Sequence, residues 1–225
     1  MPYNENNCLS IRIMNKRNQI IVVEGTDGAG KSTVIDALKP FLEEQFTGGV
    51  HYFHLRPGWL PSIGVLLRKR EDDGQTVTNP HAQKPSGLIG SMIRWVYYQL
   101  DYSLGYIRKV RPLLRHGDTC CIFDRYYYDY FIDPRRSRIC LPHWLLRTGE
   151  WIVPRPDVIL CLGGEAEKIY GRKPETSLEE VRRQVGALQQ LCYTRRQAVW
   201  IDTTVPFDQT IASAMAALMP LIRKE

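Results

Sequence analysis

No apolar run in this chain approaches the ~20 residues that a bilayer-spanning helix needs. The first eighteen residues are polar and carry none of the apolar segment of a secretory signal, so residues 1–17 read as a flexible tail rather than a leader. None of the six cysteines (Cys8, Cys120, Cys121, Cys140, Cys161 and Cys192) forms C-x-x-C or a zinc spacing. That pattern excludes a disulfide scaffold or zinc module and predicts a reduced, cytoplasmic protein. Long blocks of one charge are missing too. The basic residues are dispersed in short groups such as Arg68-Lys69-Arg70, Arg135-Arg136 and Arg195-Arg196, which read as solvated faces and not as a nucleic-acid arm. No guanine-recognition N-K-x-D follows the glycine loop described next; Asn15-Lys16-Arg17-Asn18 precedes it and ends in Asn, which argues against a GTPase. There is no internal repeat, low-complexity tract or clear domain boundary.

What remains is an ordinary globular composition: 225 residues, 44% hydrophobic, 24% charged, net charge +6. That length buries one α/β core, and the modest positive balance suits an anionic small-molecule ligand. Apolar strand patterns alternate with helical ones. Strands are expected at Gln19–Glu24, Val50–Leu55, Thr119–Phe123, Val158–Leu162 and Val199–Ile201. Helices are expected at Ser32–Phe46, Trp59–Arg70, Leu88–Arg115 (kinked or broken near its end by Pro112 and stopped by Gly117), Ser177–Arg195 and Pro206–Leu221. The segment from Tyr126 to Gly149 is helical but interrupted at Pro134 and Pro142, and residues 71–87 are a long polar loop. Alternation of this kind predicts a parallel sheet with helices on both faces.

The strongest motif is Gly25-Thr26-Asp27-Gly28-Ala29-Gly30-Lys31-Ser32-Thr33, which fits G-x-x-x-x-G-K-[ST] between a strand and a helix. Gly25, Gly28 and Gly30 let backbone N–H groups approach phosphate oxygens, and the helix N-terminus adds its positive dipole end. Lys31 can reach the β- and γ-phosphates of ATP, and the Ser32 hydroxyl can ligate Mg²⁺. Asp27 cannot bind phosphate directly, but it can accept from a sugar hydroxyl of the acceptor. The apolar strand Cys120–Phe123 ends in Asp124, positioned as a second Mg²⁺ ligand, and Arg125 follows as a bidentate phosphate ligand. An arginine there, instead of a second acid, departs from ATP-hydrolysing motors. Arg172-Lys173-Pro174-Glu175 is a basic connector able to fold over a triphosphate. Among the clustered tyrosines, Tyr98 and Tyr126 are the candidates for an acceptor pocket.

Taken in order, these motifs resemble the thymidylate kinase family. Glu24 to Thr33 looks like its P-loop. Arg56-Pro57-Gly58, with Leu60 to Gly64 and Arg68, is similar to its arginine-proline-glycine segment. Arg111 to Gly117 leading to Asp124-Arg125-Tyr126 looks like its Asp-Arg-Tyr region, and Arg172 to Tyr193 is similar to its lid and following helix. The resemblance runs over nearly the whole chain from Gln19. It implies a three-layer P-loop kinase fold, with a five-stranded parallel sheet in the order 2-3-1-4-5. Residues 18–225 would form a single domain with a small lid at about 165–177. The implied reaction is transfer of the ATP γ-phosphoryl group, with Mg²⁺, to a pyrimidine nucleoside monophosphate. Asp27 would contact the sugar 3′-hydroxyl, Arg125 the acceptor phosphate and Tyr98 the base. Arg56 and Arg68 would lie on the acceptor side, and Arg172 would be the lid arginine. The partners implied are nucleotides, with no nucleic acid and no membrane. A homodimer is a further implication that no residue of the sequence establishes by itself.

The chain departs from that family at three places. The family pair Asp-Arg in the long helix reads Asp101-Tyr102, a family serine is Asp129, and residues 71–87 are long. Arg94, two helical turns before Asp101, is a candidate replacement for the missing charge. Other readings stay open: a P-loop kinase of an uncharged acceptor such as a nucleoside or sugar, or a non-catalytic nucleotide-binding protein.

Overall fold

In the computed structural model, residues 18–61, 63 and 87–222 are described. The tail at 1–17, Arg68, most of the helix expected at Trp59–Arg70 and the loop at 71–87, Gly87 excepted, lie outside those residues. Among the described residues five strands form one sheet: β1 (Asn18–Gly25), β2 (Val50–His54), β3 (Thr119–Asp124), β4 (Val158–Gly163) and β5 (Ala198–Asp202). Their order is β2-β3-β1-β4-β5, and every pairing is parallel. The expected 2-3-1-4-5 sheet is therefore the observed one.

The period-two alternation of the strands assigns the two faces. Ile20, Val22, Cys121, Phe123, Ile159 and Cys161 point to one side, where they meet Tyr98, Tyr102, Tyr126, Tyr127, Tyr130 and Leu188. Ile21, Val23, Cys120, Ile122, Leu160 and Leu162 point to the other, against Val34, Leu38, Leu42 and Leu218. The first face is covered by α2 (Leu88–Gly105), by the short helices α4 (Asp129–Ile132), α5 (Pro134–Ser137) and α6 (His143–Gly149), and by α8 (Leu178–Thr194). The second is covered by α1 (Lys31–Gln45) and α9 (Phe207–Ile222). Burial on both faces explains why the central strands β1, β3 and β4 are largely apolar runs, and why desolvation pushes the Cys121 thiol up to about 12.

The long helical segment does not break at Pro112. It widens into a π turn at Tyr106–Val110, with Arg111 N donating to Tyr106 O, and resumes as α3 (Arg111–His116). Proline lacks the N–H of the regular ladder, and a wider turn just before it absorbs the defect. Gly117 ends the run at φ 80, as the sequence predicts. Pro134 and Pro142 divide the following segment as expected. Pro134 opens α5, with Asp133 as its cap accepting from Arg136 N, and Pro142 precedes α6.

Tyr102 is a core residue. It is fully buried, edge-on to Tyr126 and Tyr127, and its hydroxyl donates to Leu55 O at 2.6 Å. Position 102, where the resembling family has an arginine, is thus filled by a packing ring in this chain. Tyr102→Phe should lower stability by about 1–2 kcal/mol through the lost hydrogen bond, with turnover unchanged, as denaturant melts and kinetics would read. Tyr102→Arg would bury a guanidinium among aromatic rings and should lower Tm without raising activity.

Candidate active site

The site forms where the ends of β1 and β3 meet the start of α1. β1 runs straight into the glycine loop, α1 starts immediately after it, and β3 ends beside it at Asp124-Arg125. Gly28 sits at φ +84, and a Cβ there would lie 2.7 Å from Ile169 O and 3.2 Å from Lys173 Cβ. The loop therefore closes against α7 (Ala166–Arg172) and the residue after it, and only glycine fits. Gly30, also left-handed at φ 80, hands the chain to α1. Ser32 and Thr33 stand exposed in the first turn of that helix.

Lys31 folds back over the loop. Its Nζ donates to Gly25 O and Thr26 O, both at 2.9 Å, and lies 3.9 Å from Asp27 Oδ1. Burial first, and then the neighbouring Arg125, lowers its ammonium from 10.5 to about 8. In the free protein the charge is thus lost as pH rises through about 8. The unfolded chain keeps that proton up to about 10.5, so this group's contribution to stability rises between those two values. Bound phosphates would restore the charge. kcat/KM for ATP should therefore fall above pH about 8, tenfold per pH unit, while kcat holds to higher pH. Paired pH–rate profiles check this, and a flat kcat/KM across that range would contradict it.

Asp27 lies between two guanidiniums. Arg125 Nη2 donates to its Oδ1 at 2.6 Å, and Arg136 Nη2 donates to its Oδ2. Arg125 is 2% exposed, has φ 68, and spends Nη1 on buried Asp129 at 2.7 Å. A non-glycine residue held in that backbone region carries strain, a frequent mark of functional positions. Behind them lies Glu24, fully buried, with Oε1 accepting from Tyr126 N at 2.8 Å and Oε2 without a hydrogen-bond partner among the described residues. Burial, then Asp129, pushes its carboxyl well above the usual range.

Asp124 Oδ2 accepts from the Tyr52 hydroxyl at 3.0 Å and lies 3.4 Å from His54 Nδ1. Burial would raise its pKa, but the His54 and Tyr52 hydrogen bonds and Lys31 outweigh it, and the net shift is downward. Asp124 Oδ1 is buried and has no hydrogen-bond partner among the described residues. An ionised carboxylate with one orphaned oxygen, beside a helix that starts with an exposed serine hydroxyl, fits a hard cation held by oxygen ligands.

Other expected residues fall differently. The Arg56 guanidinium lies 4.0 Å over the Tyr98 ring and 3.3 Å from Asp101 Oδ2, so Tyr98 carries an arginine on its ring. Asp101 Oδ1 accepts from Trp59 N and Leu60 N, both at 2.8 Å, which fixes the segment after β2. Tyr126 is 2% exposed with its hydroxyl on Pro154 O at 2.8 Å. It is a packing ring and not an open pocket wall, which corrects the sequence expectation. Arg172 donates to Thr203 O at 2.7 Å, tying α7 to the segment after β5. Arg94 lies close enough to Arg138 that, after burial, it helps to lower that guanidinium.

The sequence reading missed Arg136 and Asp133, and noted Asp129 only as a departure from the resembling family without seeing it as the partner of Arg125. Asp-Pro is a helix-start signal, and reading Asp133 as the cap puts Arg136 in the first turn, able to fold back. Its meeting with Asp27, 109 residues away, has no local signal.

No family model matches the chain. A protein of Escherichia coli K12 named uncharacterized ATP-binding protein YghR is 24% identical over 220 residues, 88% of this chain and 86% of its own length. Its counterpart in Escherichia coli O6:H1 matches equally. Among solved structures, thymidylate kinase from Ehrlichia chaffeensis superposes with TM-score 0.59 at 15% identity, over 90% of this chain and 98% of its own. Thymidylate kinase from Candida albicans superposes with TM-score 0.61 at 18% identity, over 91% and 92%. With its parallel 2-3-1-4-5 sheet and its glycine loop between β1 and α1, the chain has the P-loop kinase fold of the thymidylate kinases.

Proposed function

We propose that the protein is an ATP-dependent phosphotransferase that moves the γ-phosphoryl group to a pyrimidine nucleoside monophosphate, thymidylate being the first candidate. The observation that carries this reading is the convergence of Lys31, Arg125 and Arg136 on Asp27 at the P-loop. One cation belongs to the ATP loop, and the other two come from the segment after β3, on the acceptor side. Phosphoryl transfer needs little covalent chemistry from a protein. It needs two phosphates held in line and the charge between them stabilised. The ATP-binding name of the Escherichia coli relative and the thymidylate kinase fold support the same reading.

In this proposal the backbone of residues 25–33 cradles the ATP phosphates, and Lys31 moves from the Gly25 and Thr26 carbonyls to phosphate oxygens. Ser32 and Asp124 would hold Mg²⁺, which when bound neutralises phosphate charge. Residues 165–177 act as the lid. Gly28 packs against Lys173, so motion of that segment bears directly on the loop. Arg56 and Tyr98 line the acceptor side; Arg68, which the resemblance assigns to that side, lies outside the described residues. The absent arginine at position 102 is the one feature that favours an uncharged acceptor; the guanidiniums around Asp27 favour a phosphorylated one. Screening nucleoside monophosphates, nucleosides and sugars with ATP and Mg²⁺ by coupled ADP release tests the reading. Nucleoside monophosphates should give the highest kcat/KM, and turnover confined to sugars or nucleosides would reject it.

A homodimer is part of the same proposal. Ile89, Ile93, Val96, Leu100, Leu104 and Ile107 are exposed along α2 and the π turn at spacings of four and three, a near-continuous apolar stripe. Sedimentation should show a dimer that Ile93→Glu with Leu100→Glu converts to monomer. A monomeric wild type would reject it. Among the described residues no helix is long and apolar enough to cross a membrane.

A further inference from the structure

We propose that Arg136 is an acceptor-binding residue that forms, with Arg125, a two-guanidinium clamp on the acceptor's phosphate, and that Asp27 is the clamp's resident anion between turnovers. The inference rests on the phosphorylated-acceptor reading above and adds a residue and an exchange of ion pairs to it.

Two arginines from separate elements donate to the two oxygens of one carboxylate: Arg125 just after β3, Arg136 from α5. Paired guanidinium donors spaced to a carboxylate's two oxygens are also spaced to two oxygens of a phosphate. The resident carboxylate belongs to the glycine loop itself, with Lys31 Nζ 3.9 Å from it, so the clamp borders the position of the transferring group. Both arginines are braced from behind. Arg125 Nη1 is held by Asp129 at 2.7 Å. Arg136 Nε points to Asp133 Oδ2 at 3.4 Å, and its backbone N–H to Asp133 Oδ1 at 3.3 Å. Arg183 Nη2 donates to Ile132 O at 2.6 Å and anchors the chain just before α5. Among the described residues the Nη1 edge of Arg136 makes no hydrogen bond, which leaves a donor edge for a further oxygen.

The resembling family carries an arginine at the position that Tyr102 fills here, and Tyr102 is sealed in the core. Around Asp27 three cations, Lys31, Arg125 and Arg136, face one carboxylate. Asp129 and Asp133 pair the two arginines from behind, so what favours a phosphate is the convergence of donors on one point, where a dianion offers more acceptor oxygens than a carboxylate. When the phosphate takes the two guanidiniums, Asp27 is released. Its oxygens then become available to a sugar hydroxyl, the role the resemblance gives them.

Two measurements test the clamp. The first is steady-state kinetics of Arg136→Ala and Arg136→Lys with each substrate varied, with Arg182→Ala as a surface-arginine control. Arg136→Ala should raise the acceptor KM by about ten- to hundredfold and leave the ATP KM within about twofold, and Arg136→Lys should recover part of the loss. A folded Arg136→Ala with unchanged acceptor KM, or with equal losses for both substrates, would overturn the proposal. The second is independent of acceptor identity: calorimetric binding of inorganic phosphate to protein whose ATP site is filled with a non-hydrolysable ATP analogue and Mg²⁺. Wild type should bind, Arg136→Ala should bind at least tenfold more weakly, and Asp27→Asn should bind more tightly because the competing charge is gone. Absence of binding to wild type, equal binding by Arg136→Ala, or weaker binding by Asp27→Asn would each overturn the clamp. If the acceptor screen fails while this pattern holds, the clamp stands and the choice of acceptor is what is wrong.

Discussion

Lys31→Ala should abolish measurable phosphoryl transfer, a loss of roughly 10²–10³-fold or more in kcat, while the protein stays folded. The side chain is partly buried at the mouth of the loop, and its Nζ is held by the Gly25 and Thr26 carbonyls. Those carbonyls can turn to water when the ammonium is removed, so the structural cost is small. Desolvation already lowers this ammonium to about 8, so removing a poorly hydrated charge forfeits little native-state solvation. The catalytic cost is large, because among the described residues Lys31 is the cation that belongs to the loop itself, whereas Arg125 and Arg136 are tied to Asp27 from the segment after β3. Circular dichroism and thermal melts with ATP titrations separate the two effects. A folded Lys31→Ala protein turning over within about tenfold of wild type would show that this loop is not the ATP site.

Arg125→Ala should be the most damaging single change to the whole site. Arg125 is buried and ion-paired to both Asp27 and Asp129. Removing it leaves the 1%-exposed Asp129 without its cation, and breaking a buried pair in this way costs about 3–5 kcal/mol. It also removes the relief that Arg125 gives to Glu24, whose carboxyl is already pushed upward by burial and by Asp129. Stability and acceptor use should therefore fall together. The double variant Arg125→Ala with Asp129→Ala separates them. Deleting both partners should recover much of the stability but none of the acceptor affinity, read as Tm against acceptor KM. Recovery of both would mean that Arg125 acts only as a structural counter-ion.

The contrast between Arg125 and Arg136 marks how far the sequence could be read. The P-loop, the strands and Asp124-Arg125 were legible because each is a local pattern: a glycine loop, an apolar strand, a strand-end acid; the sheet order came from the family resemblance. Strand ends of a parallel sheet gather on one edge, so local patterns also predicted which of these segments meet. The misjudged residues depend on distant partners. Tyr102 reads as a substituted functional position but packs beneath Leu55. Tyr126 follows Asp-Arg in the chain, yet its ring turns to Pro154. Arg136 looks like one of a solvated basic pair, and only the placement of α5 over the loop brings it to Asp27. Pro112 was read as a kink or break because a proline's local effect is clear, whereas a π turn that absorbs it depends on the packing of Tyr106 and Val110 against the core.

The central claim is transfer, as distinct from ATP hydrolysis or ATP binding alone. The most direct measurement is ³¹P NMR of the protein with ATP, Mg²⁺ and thymidylate. The account predicts loss of the γ-phosphorus signal of ATP matched by new resonances of a nucleoside diphosphate product in addition to ADP, with no inorganic phosphate released. ATP converted only to ADP and inorganic phosphate, or ATP left unconsumed with thymidylate and every other nucleoside monophosphate, would contradict it.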